Sequence, residues 1–365
     1  MLWVTSQDVK SHYLDGTTTQ ITEKGAKELT LYPAGSLVMV TRSGILRHTL
    51  PVAELRKPST VNQDIRVILP QENYYGQWLL QFFISRNKEL LLEFGKTGTT
   101  VESVDFSKMR DMVLLTPSLP EQQQIGRYFA RLDNLITLHQ RKYDKLCVLK
   151  KSMLDKMFPK GGSLYPEIRF AGFTDPWEQR KLEDYVVVST AKNVDGRFNK
   201  EDVLSVSGEY GIVNQIAFQG RSFAGSSVLN YGIVNTGDIV YTKSPLNSNP
   251  YGIIKVNKGI PGIVSTLYAV YRPQDNVHTN FIQVYFEQHE RMNNYMHPLV
   301  NKGAKNDMKV TAENALKGVV TFPSREEQVI ISEFFDRLDS LITLHQRKLE
   351  LLRNIKKSML DKMFV

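Results

Sequence analysis

The chain has 365 residues, of which 41% are hydrophobic and 23% are charged, and this composition excludes a largely disordered protein and leaves room for two domains. Cys147 is its one cysteine, which excludes a disulfide framework or a thiolate zinc cluster and suits a reducing compartment. The net charge of +8 favours a polyanionic partner.

The first predicted module covers residues 1–117 and has an α+β pattern. Its first ten residues lack the basic and apolar regions of a signal peptide, and no stretch of the chain approaches the ~18 apolar residues of a membrane span. We therefore expect a cytoplasmic protein. Apolar strands are predicted in "AGSLVMVTRSGIL" and "QDIRVILP", before the helical stretch "YGQWLLQFFISRNKELLLEF".

A long helix is predicted at residues 118–158. It starts at "PSLPEQ", where Ser118 stands three residues before Glu121, the spacing of a capping box. Apolar residues then recur in alternating steps of four and three, which predicts a coiled-coil seam. The apolar seam residues are Ile125, Phe129, Leu132, Ile136, Tyr143, Leu146, Met153 and Met157, and the polar His139 and Lys150 occupy two further seam positions.

A linker at residues 159–165 and a second α+β module at residues 166–323 follow the helix. Pro159, Gly161 and Gly162 end the helix. The module has strands in "GIVNTGDIVYT" and "STLYAVYR" and a helical stretch "NFIQVYFEQHERMNNYM". It opens with "PEIRFAGFTDPWEQRKLED", which has no counterpart in the first module, so we expect the first module to lack about 40 residues that the second contains.

The last segment, residues 324–365, repeats the first long helix. It starts at "PSREEQ", and residues 337–364 match residues 131–158 at 21 of 28 positions, with a constant offset of 206. Its apolar seam residues are Ile331, Phe335, Leu338, Ile342, Leu349, Leu352, Met359 and Met363, with the polar His345 and Lys356 between them. Polar seam positions help to fix the register of paired helices. We expect two antiparallel helices that hold the two modules apart with pseudo-twofold symmetry.

Neither a catalytic nor a metal site is predicted. The sequence lacks the dinucleotide, P-loop, HExxH and GxSxG motifs. The excess basic charge lies in the two repeats, which carry +5 over residues 131–160 and +4 over residues 337–365. A non-catalytic protein with a polyanionic partner is therefore expected.

The whole arrangement resembles the DNA-specificity subunit of type I restriction-modification systems. The resemblance rests on two diverged modules, two near-identical helices that each start with "PxxxEQ", and the "PEIRFAGFTDPWEQRKLED" opening. It implies two target-recognition domains that each read half of a bipartite DNA sequence, with a gap set by the helices. It also implies two methyltransferase subunits that bind S-adenosylmethionine and restriction subunits that use ATP, so that this chain needs no cofactor.

Basic residues in turn-rich loops are the candidate DNA contacts. Phosphate contacts position a protein on DNA, and base contacts specify the sequence. The candidates are Arg42, Arg47, Lys96, Lys243, Lys302 and Lys305.

Two other functions stay open at this stage. A stand-alone DNA methyltransferase or nuclease would need cofactor or metal motifs that the sequence lacks, and a methylation assay on the purified chain would test it. A coiled-coil adaptor, as a truncated or orphan relative without full DNA recognition, would not bind duplex DNA even with its partners.

Overall fold

The computed structural model describes residues 1–98, 101–244, 249–302 and 308–364. These residues form two units, and the predicted α+β class is confirmed in both. Unit 1 contains Met1–Lys142 and His345–Val365, and unit 2 contains Tyr143–Leu344. Each unit therefore includes one module together with a part of each long helix.

Unit 1 contains a four-stranded sheet with the strand order β2-β4-β3-β6. The strand β3, with the sequence "LVMV", is buried along its whole length. Leu37 and Met39 join the core beneath the helices, whereas Val38 and Val40 join a smaller core on the other face, as expected for side chains that alternate along a strand. The strands of unit 1 are β1 (Leu2–Val4), β2 (Tyr13–Leu14), β3 (Leu37–Val40), β4 (Val52–Leu55), β5 (Ser59–Val61), β6 (Ile65–Ile68), β7 (Gly95–Lys96) and β8 (Ser103–Val104).

All helices of unit 1 except the first, which has no buried residue, contribute to the core on one face of this sheet. They are α1 (Glu23–Ala26), α2 (Gly76–Ser85), α3 (Asn87–Phe94), α4 (Phe106–Arg110), the part of α5 (Leu119–Lys156) that ends at residue 142, and the part of α9 (Arg325–Met363) from residue 345. Trp78 of α2 lies with its ring centre 5.9 Å from that of Phe364, and Phe364 also contacts Phe129 of α5. The core thus joins the module to both helix repeats.

Unit 2 contains a four-stranded sheet with the order β10-β17-β14-β15. Tyr241 of β14 is fully buried, and its hydroxyl donates to the carbonyl oxygen of Tyr251 at 2.8 Å. A separate antiparallel pair joins β9 to β20. The strands are β9 (Glu178–Lys181), β10 (Val186–Val188), β11 (Leu204–Ser207), β12 (Gly211–Asn214), β13 (Gly232–Val234), β14 (Ile239–Thr242), β15 (Ile254–Val256), β16 (Gly262–Val264), β17 (Tyr268–Pro273), β18 (Asn301–Lys302), β19 (Met308–Lys309) and β20 (Val319–Phe322).

An aromatic core links all helices of unit 2 except α6 to its sheet. The helices are α6 (Gln215–Gln219), α7 (Thr279–Glu287), α8 (His289–Met296), the end of α5 and the first part of α9 (Arg325–Met363). Phe158 lies within 6.3 Å of Trp177, Phe281 and Phe335, measured between ring centres. Phe158 follows α5 as Phe364 follows α9, so the phenylalanine that ends each repeat belongs to the core.

The two long helices run antiparallel within each unit. In unit 1, Asp133 of α5 contacts Lys356 of α9, while His139 contacts His345. In unit 2, Lys150 contacts Asp339, and Phe158, eight residues further along the chain, lies beside Phe335. The residue numbers thus rise along one helix while they fall along the other.

The sequence interpretation of the helices needs two corrections. The seam prediction is wrong for Met363, which is 43% exposed, because the next residue, Phe364, turns into the core instead. The capping box is half formed in α9: Ser324 accepts a hydrogen bond from the backbone N–H of Glu327, but the Glu327 carboxylate pairs with Arg169. The half-buried Arg169 side chain thus takes the place of the backbone amide as the partner of that carboxylate.

Candidate functional site

The helix-start segments are held to their modules by a buried glutamine. In unit 1, the Gln122 side chain donates to the backbone carbonyl of the proline that opens its segment and accepts from the backbone N–H of Tyr75 at 3.0 Å. In unit 2, Gln328 makes the same pair of bonds, with the N–H of His278 at 2.9 Å. Tyr75 and His278 each precede a module helix that has no side-chain cap of its own. The glutamines therefore cap α2 and α7 from a distance.

The two polar lysines of the helix repeat each meet a carboxylate. Lys356 Nζ lies 2.6 Å from Asp133 in unit 1, and Lys150 Nζ lies 2.5 Å from Asp339 in unit 2. Both the lysines and the aspartates are related by the offset of 206. The same ion pair is consequently built once in each unit.

The surroundings of the two ion pairs differ. In unit 1, Asp133 also accepts hydrogen bonds from the Tyr13 hydroxyl and the Gln81 amide. In unit 2, Lys150 has Glu287 as a second carboxylate partner at 2.7 Å. Burial alone would lower the pKa of Lys150, but Glu287 and Asp339 outweigh burial and raise it. Each module therefore adds its own side chains to the lysine–aspartate ion pair that both units have.

His139 and His345 meet in unit 1 with their Nδ1 atoms 2.8 Å apart. One ring must donate and the other accept, so the contact requires at least one neutral imidazole. Burial lowers the pKa of His139, and His345, Lys348 and Lys142 lower it further. No group of three or more potential metal ligands occurs among the residues that the structure describes. The pair is thus a contact within the helix seam.

Two of the predicted DNA contacts lie in one cleft of unit 1. Arg47 and Lys96 line this cleft of about 650 Å³, together with His48 and Lys88. The Arg47 and Lys96 side chains are more than 60% exposed. Their cationic groups therefore face water at the surface of the unit.

Each of these two cations has a carboxylate partner. Arg47 lies 2.5 Å from Glu102, and Lys96 lies 2.8 Å from Asp105. The hydrogen bond from Arg47 lowers the pKa of Glu102, and that from Lys96 lowers the pKa of Asp105. Both acids are therefore held ionised beside the cleft.

The other predicted contacts are more dispersed. Arg42 is exposed and forms an isolated antiparallel β-bridge with Ser103, but it does not line the cleft. Lys243 follows β14 and donates its backbone N–H to Leu267. Lys302 lies in β18, and Lys305 lies outside the described residues. Of the predicted contacts whose side chains the structure describes, only Arg47 and Lys96 line the same cleft.

Unit 2 has contacts between arginines and aromatic rings that the sequence interpretation missed. The guanidinium of Arg197 lies 4.7 Å from the ring centre of Phe198, and that of Arg221 lies 4.5 Å from Phe223. Phe223 is 57% exposed. An arginine beside an aromatic residue in a turn-rich stretch was a signal available in the sequence. Such surfaces can stack on nucleotide bases.

Leucines form matching exposed pairs on the two long helices. Leu135 and Leu138 belong to unit 1, and Leu341 and Leu344 belong to unit 2. All four are 44% to 48% exposed, and each pair has the i, i+3 spacing that places side chains on one helix face. Exposed leucines at repeated positions are a candidate protein-binding surface.

Within the described part of the chain, no helix has the length and apolar character needed to cross a lipid bilayer.

A family model covers most of the chain. The model for the type I restriction modification DNA specificity domain matches residues 3–147 and 174–354. The two matches include nearly all of both modules and most of both long helices.

Two similar proteins are type I restriction enzyme specificity subunits, one of them putative. The EcoR124I/EcoR124II specificity subunit of Escherichia coli is 30% identical over 155 residues, which are 39% of this chain and 38% of that protein. A putative MjaX specificity subunit of Methanocaldococcus jannaschii is 22% identical over 308 residues, covering 80% of this chain and 67% of the relative. The chain thus spans well under half of the Escherichia coli relative that it matches.

A solved structure shares the fold. The S subunit of a type I restriction-modification system from M. genitalium superposes with a TM-score of 0.60 at 12% identity. The match covers 98% of this chain and 89% of that chain.

Proposed function

The chain belongs to the type I restriction-modification DNA specificity family, and from this premise we propose that it selects a bipartite DNA site for a methylating and restricting complex. In this proposal each unit reads one half-site. The chain is not itself catalytic. Its place of action is the cytoplasm, in keeping with a single unpaired cysteine.

The observation that carries the proposal is the contrast between repeat and module. The helix repeats agree at 21 of 28 positions, and the same lysine–aspartate pair recurs in both units. The modules around them differ in sequence, and their four-stranded sheets differ in the strand at one edge, which is β2 in unit 1 and β10 in unit 2. Similar helices that carry different modules are suited to two unlike half-sites. The helices can keep the docking geometry constant while the modules contact different bases.

DNA contacts in unit 1 are proposed for Arg47 and Lys96. Both cations face a cleft, and each has a carboxylate partner that a DNA phosphate could replace. In unit 2 we propose Arg197, Arg221 and Phe223, because cationic and aromatic groups lie together on an exposed surface. Arg42, Lys243, Lys302 and Lys305 stay predictions.

The exposed leucine pairs are the proposed docking sites for partner subunits. Because Leu135 and Leu138 recur as Leu341 and Leu344, the chain offers equivalent sites to two copies of one partner. We assign them to two methyltransferase subunits, to which restriction subunits bind in turn. S-adenosylmethionine and ATP are bound by these partners in the proposal, which leaves this chain without a cofactor.

Methylation mapping tests the proposed function. The chain is expressed with its methyltransferase partners in cells that lack other type I systems, and methylated bases are mapped across the genome. We expect one new motif with two unlike half-sites separated by unread bases, and no methylation when the chain is omitted. A continuous palindromic motif, or methylation by the purified chain alone, would contradict the proposal.

The matched variants change the cleft and leave the helices intact. Arg47→Ala with Lys96→Ala is expected to reduce methylation at the motif, because two phosphate contacts are lost. Lys24→Ala is the control, since Lys24 is exposed and does not line the cleft. Equal methylation by the double variant and the control would remove Arg47 and Lys96 from the interface.

A further inference from the structure

One face of α3 forms a side of the cleft in unit 1. Lys88, Leu91 and Leu92 line the cleft, and their spacings of three and four residues place them on the same helix face. Leu92 is 86% exposed, whereas Leu90 and Phe94 of the same helix are buried in the core. An exposed leucine therefore lies one helix turn from a lysine at the cleft.

Glu102 is the one acidic side chain among the described residues that line this cleft. Its Oε1 atom accepts a hydrogen bond from Arg47 at 2.5 Å. Its Oε2 atom is buried and has no hydrogen-bond partner within the described part of the chain. A buried carboxylate oxygen without a donor is unfavourable. The cleft therefore contains an acceptor that a donor of a bound molecule can satisfy.

The Arg47 side chain lies over this acceptor on the side of the solvent. The Arg47 side chain is 62% exposed, whereas that of Glu102 is 12% exposed. In the proposed DNA contact, a phosphate takes the place of Glu102 as the partner of Arg47, and both carboxylate oxygens are then free to accept. Phosphates repel a carboxylate, so an acid in a DNA-binding cleft favours binding only where it meets a donor.

The bases offer few such donors in the major groove. They are the amino groups at N4 of cytosine and N6 of adenine, whereas guanine O6 and N7 and thymine O4 are acceptors. The hydrogen bond from Arg47 lowers the pKa of Glu102, so this side chain is an ionised carboxylate that accepts and does not donate. It therefore attracts the amino group of adenine or cytosine and repels guanine O6 and thymine O4.

Leu92 distinguishes between these two amino-bearing bases. An A·T pair presents the C5-methyl group of thymine in the major groove together with the adenine amino group, and apolar side chains contact this methyl. A C·G pair has no methyl group there. Contact with the thymine methyl removes the exposed Leu92 side chain from water, which is favourable.

We propose that Glu102 and Leu92 are specificity-determining residues of unit 1 that select one A·T base pair. Glu102 accepts a hydrogen bond from the adenine amino group, and Leu92 contacts the thymine methyl. Arg47 and Lys96 keep their proposed phosphate contacts. This inference rests on the proposed function and deepens it, because it names the base pair that the cleft selects.

Methylation mapping of single variants tests the role of Glu102. With Glu102→Ala we expect one A·T position to become degenerate, in the half-site that persists when residues 166–323 are exchanged. Glu102→Gln should retain adenine, because an amide oxygen accepts the same hydrogen bond. Glu93→Ala is the control, since Glu93 is an exposed residue of α3 that does not line the cleft, and it should leave the motif unchanged.

Modified duplexes test the two base groups with the assembled complex. In a duplex that carries the mapped motif, purine in place of the adenine removes the amino group, and uracil in place of the thymine removes the methyl group. Purine should weaken binding of the natural chain about tenfold and that of Glu102→Ala hardly at all. Uracil should weaken binding of the natural chain about threefold and that of Leu92→Ala hardly at all. The same replacements in the unread gap are the control and should have no effect.

Several results would overturn the inference and leave the proposed function intact. These are a bipartite motif that Glu102→Ala does not change, degeneracy at a position other than an A·T pair, and an equal change of the motif in Glu102→Gln and Glu102→Ala, which a purely structural ion pair with Arg47 would produce. Equal binding of the natural complex to modified and unmodified duplexes would also overturn it, without reliance on any variant. Absence of a bipartite motif for the natural chain would overturn both the proposed function and this inference.

Discussion

Lys356 illustrates how a single buried charge fixes the helix pair. It is 9% exposed and meets Asp133, which is 8% exposed. Taking both charges out of water is costly, and their attraction offsets this cost only while both partners are present. A buried pair of this kind contributes more to the choice of helix register than to net stability.

Removal of one partner should therefore be costly. For Lys356→Met we expect a loss of about 3 kcal/mol in the free energy of unfolding, because Asp133 stays buried and, within the described ranges, keeps Tyr13 and Gln81 as its donors. Denaturant unfolding measures the loss. The exposed neighbour provides the control Lys357→Met, for which we expect little change; equal stability of the two variants would show that the pair does not stabilise unit 1.

The histidine pair predicts a pH dependence. The pKa of His139 is lowered in the folded unit by burial and by His345, Lys348 and Lys142, so the unfolded chain binds protons more readily. Stability is therefore complete above the unfolded pKa and falls as the pH drops through about 6.5 towards the lowered value. Because the pKa values of His12 and His278 are lowered as well, His139 accounts for only part of the loss.

The measurement compares melting temperatures at about pH 7.5 and about pH 5.5. The decrease on acidification should be smaller for His139→Gln than for the natural chain. His289→Gln changes an exposed histidine and should leave the decrease as it is. An unaltered decrease in His139→Gln would contradict the assigned role.

At the scale of elements, the long helices were accessible to sequence reasoning because their periodicity is local. The helix predicted at residues 118–158 is observed as Leu119–Lys156, and that predicted at 324–365 as Arg325–Met363. The caps of α2 and α7 were not accessible. The Gln122 side chain caps a residue 47 positions earlier, and no local pattern indicates such a partner.

The distant cap has a measurable effect. Gln122→Ala removes acceptor and donor bonds at a buried position, so we expect it to reduce the free energy of unfolding by about 1–2 kcal/mol. Gln124→Ala, at an exposed position of the same helix turn, should have little effect. Thermal unfolding of the two variants distinguishes them, and equal values would show that the cap is dispensable.

The helices are also expected to act as a spacer in the proposed complex. One heptad inserted after Lys142 and another after the equivalent Lys348 adds about 10 Å of helix, or about three base pairs. Methylation mapping should then find a longer gap between unchanged half-sites. Retained activity with an unchanged gap would show that the helices do not set it.

At the scale of the whole molecule, internal repetition made the sequence informative. The offset of 206 predicted that both helices are built alike, and the recurring lysine–aspartate pairs follow from it. Individual DNA contacts were harder to predict, because a loop lysine or arginine has no periodicity. Arg47 and Lys96 line one cleft because the fold brings their loops together. Glu102 is distant from Arg47 in the sequence, and no sequence pattern indicates that Asp105 pairs with Lys96.

Exchange of one module most directly tests the claim that each unit reads its own half-site. Residues 166–323 are replaced by the corresponding module of a relative, both helix repeats are retained, and methylated sites are mapped with the natural partner subunits. The account predicts that one half-site changes while the other half-site and the gap stay the same. A change in both half-sites, or in neither with methylation retained, would contradict it.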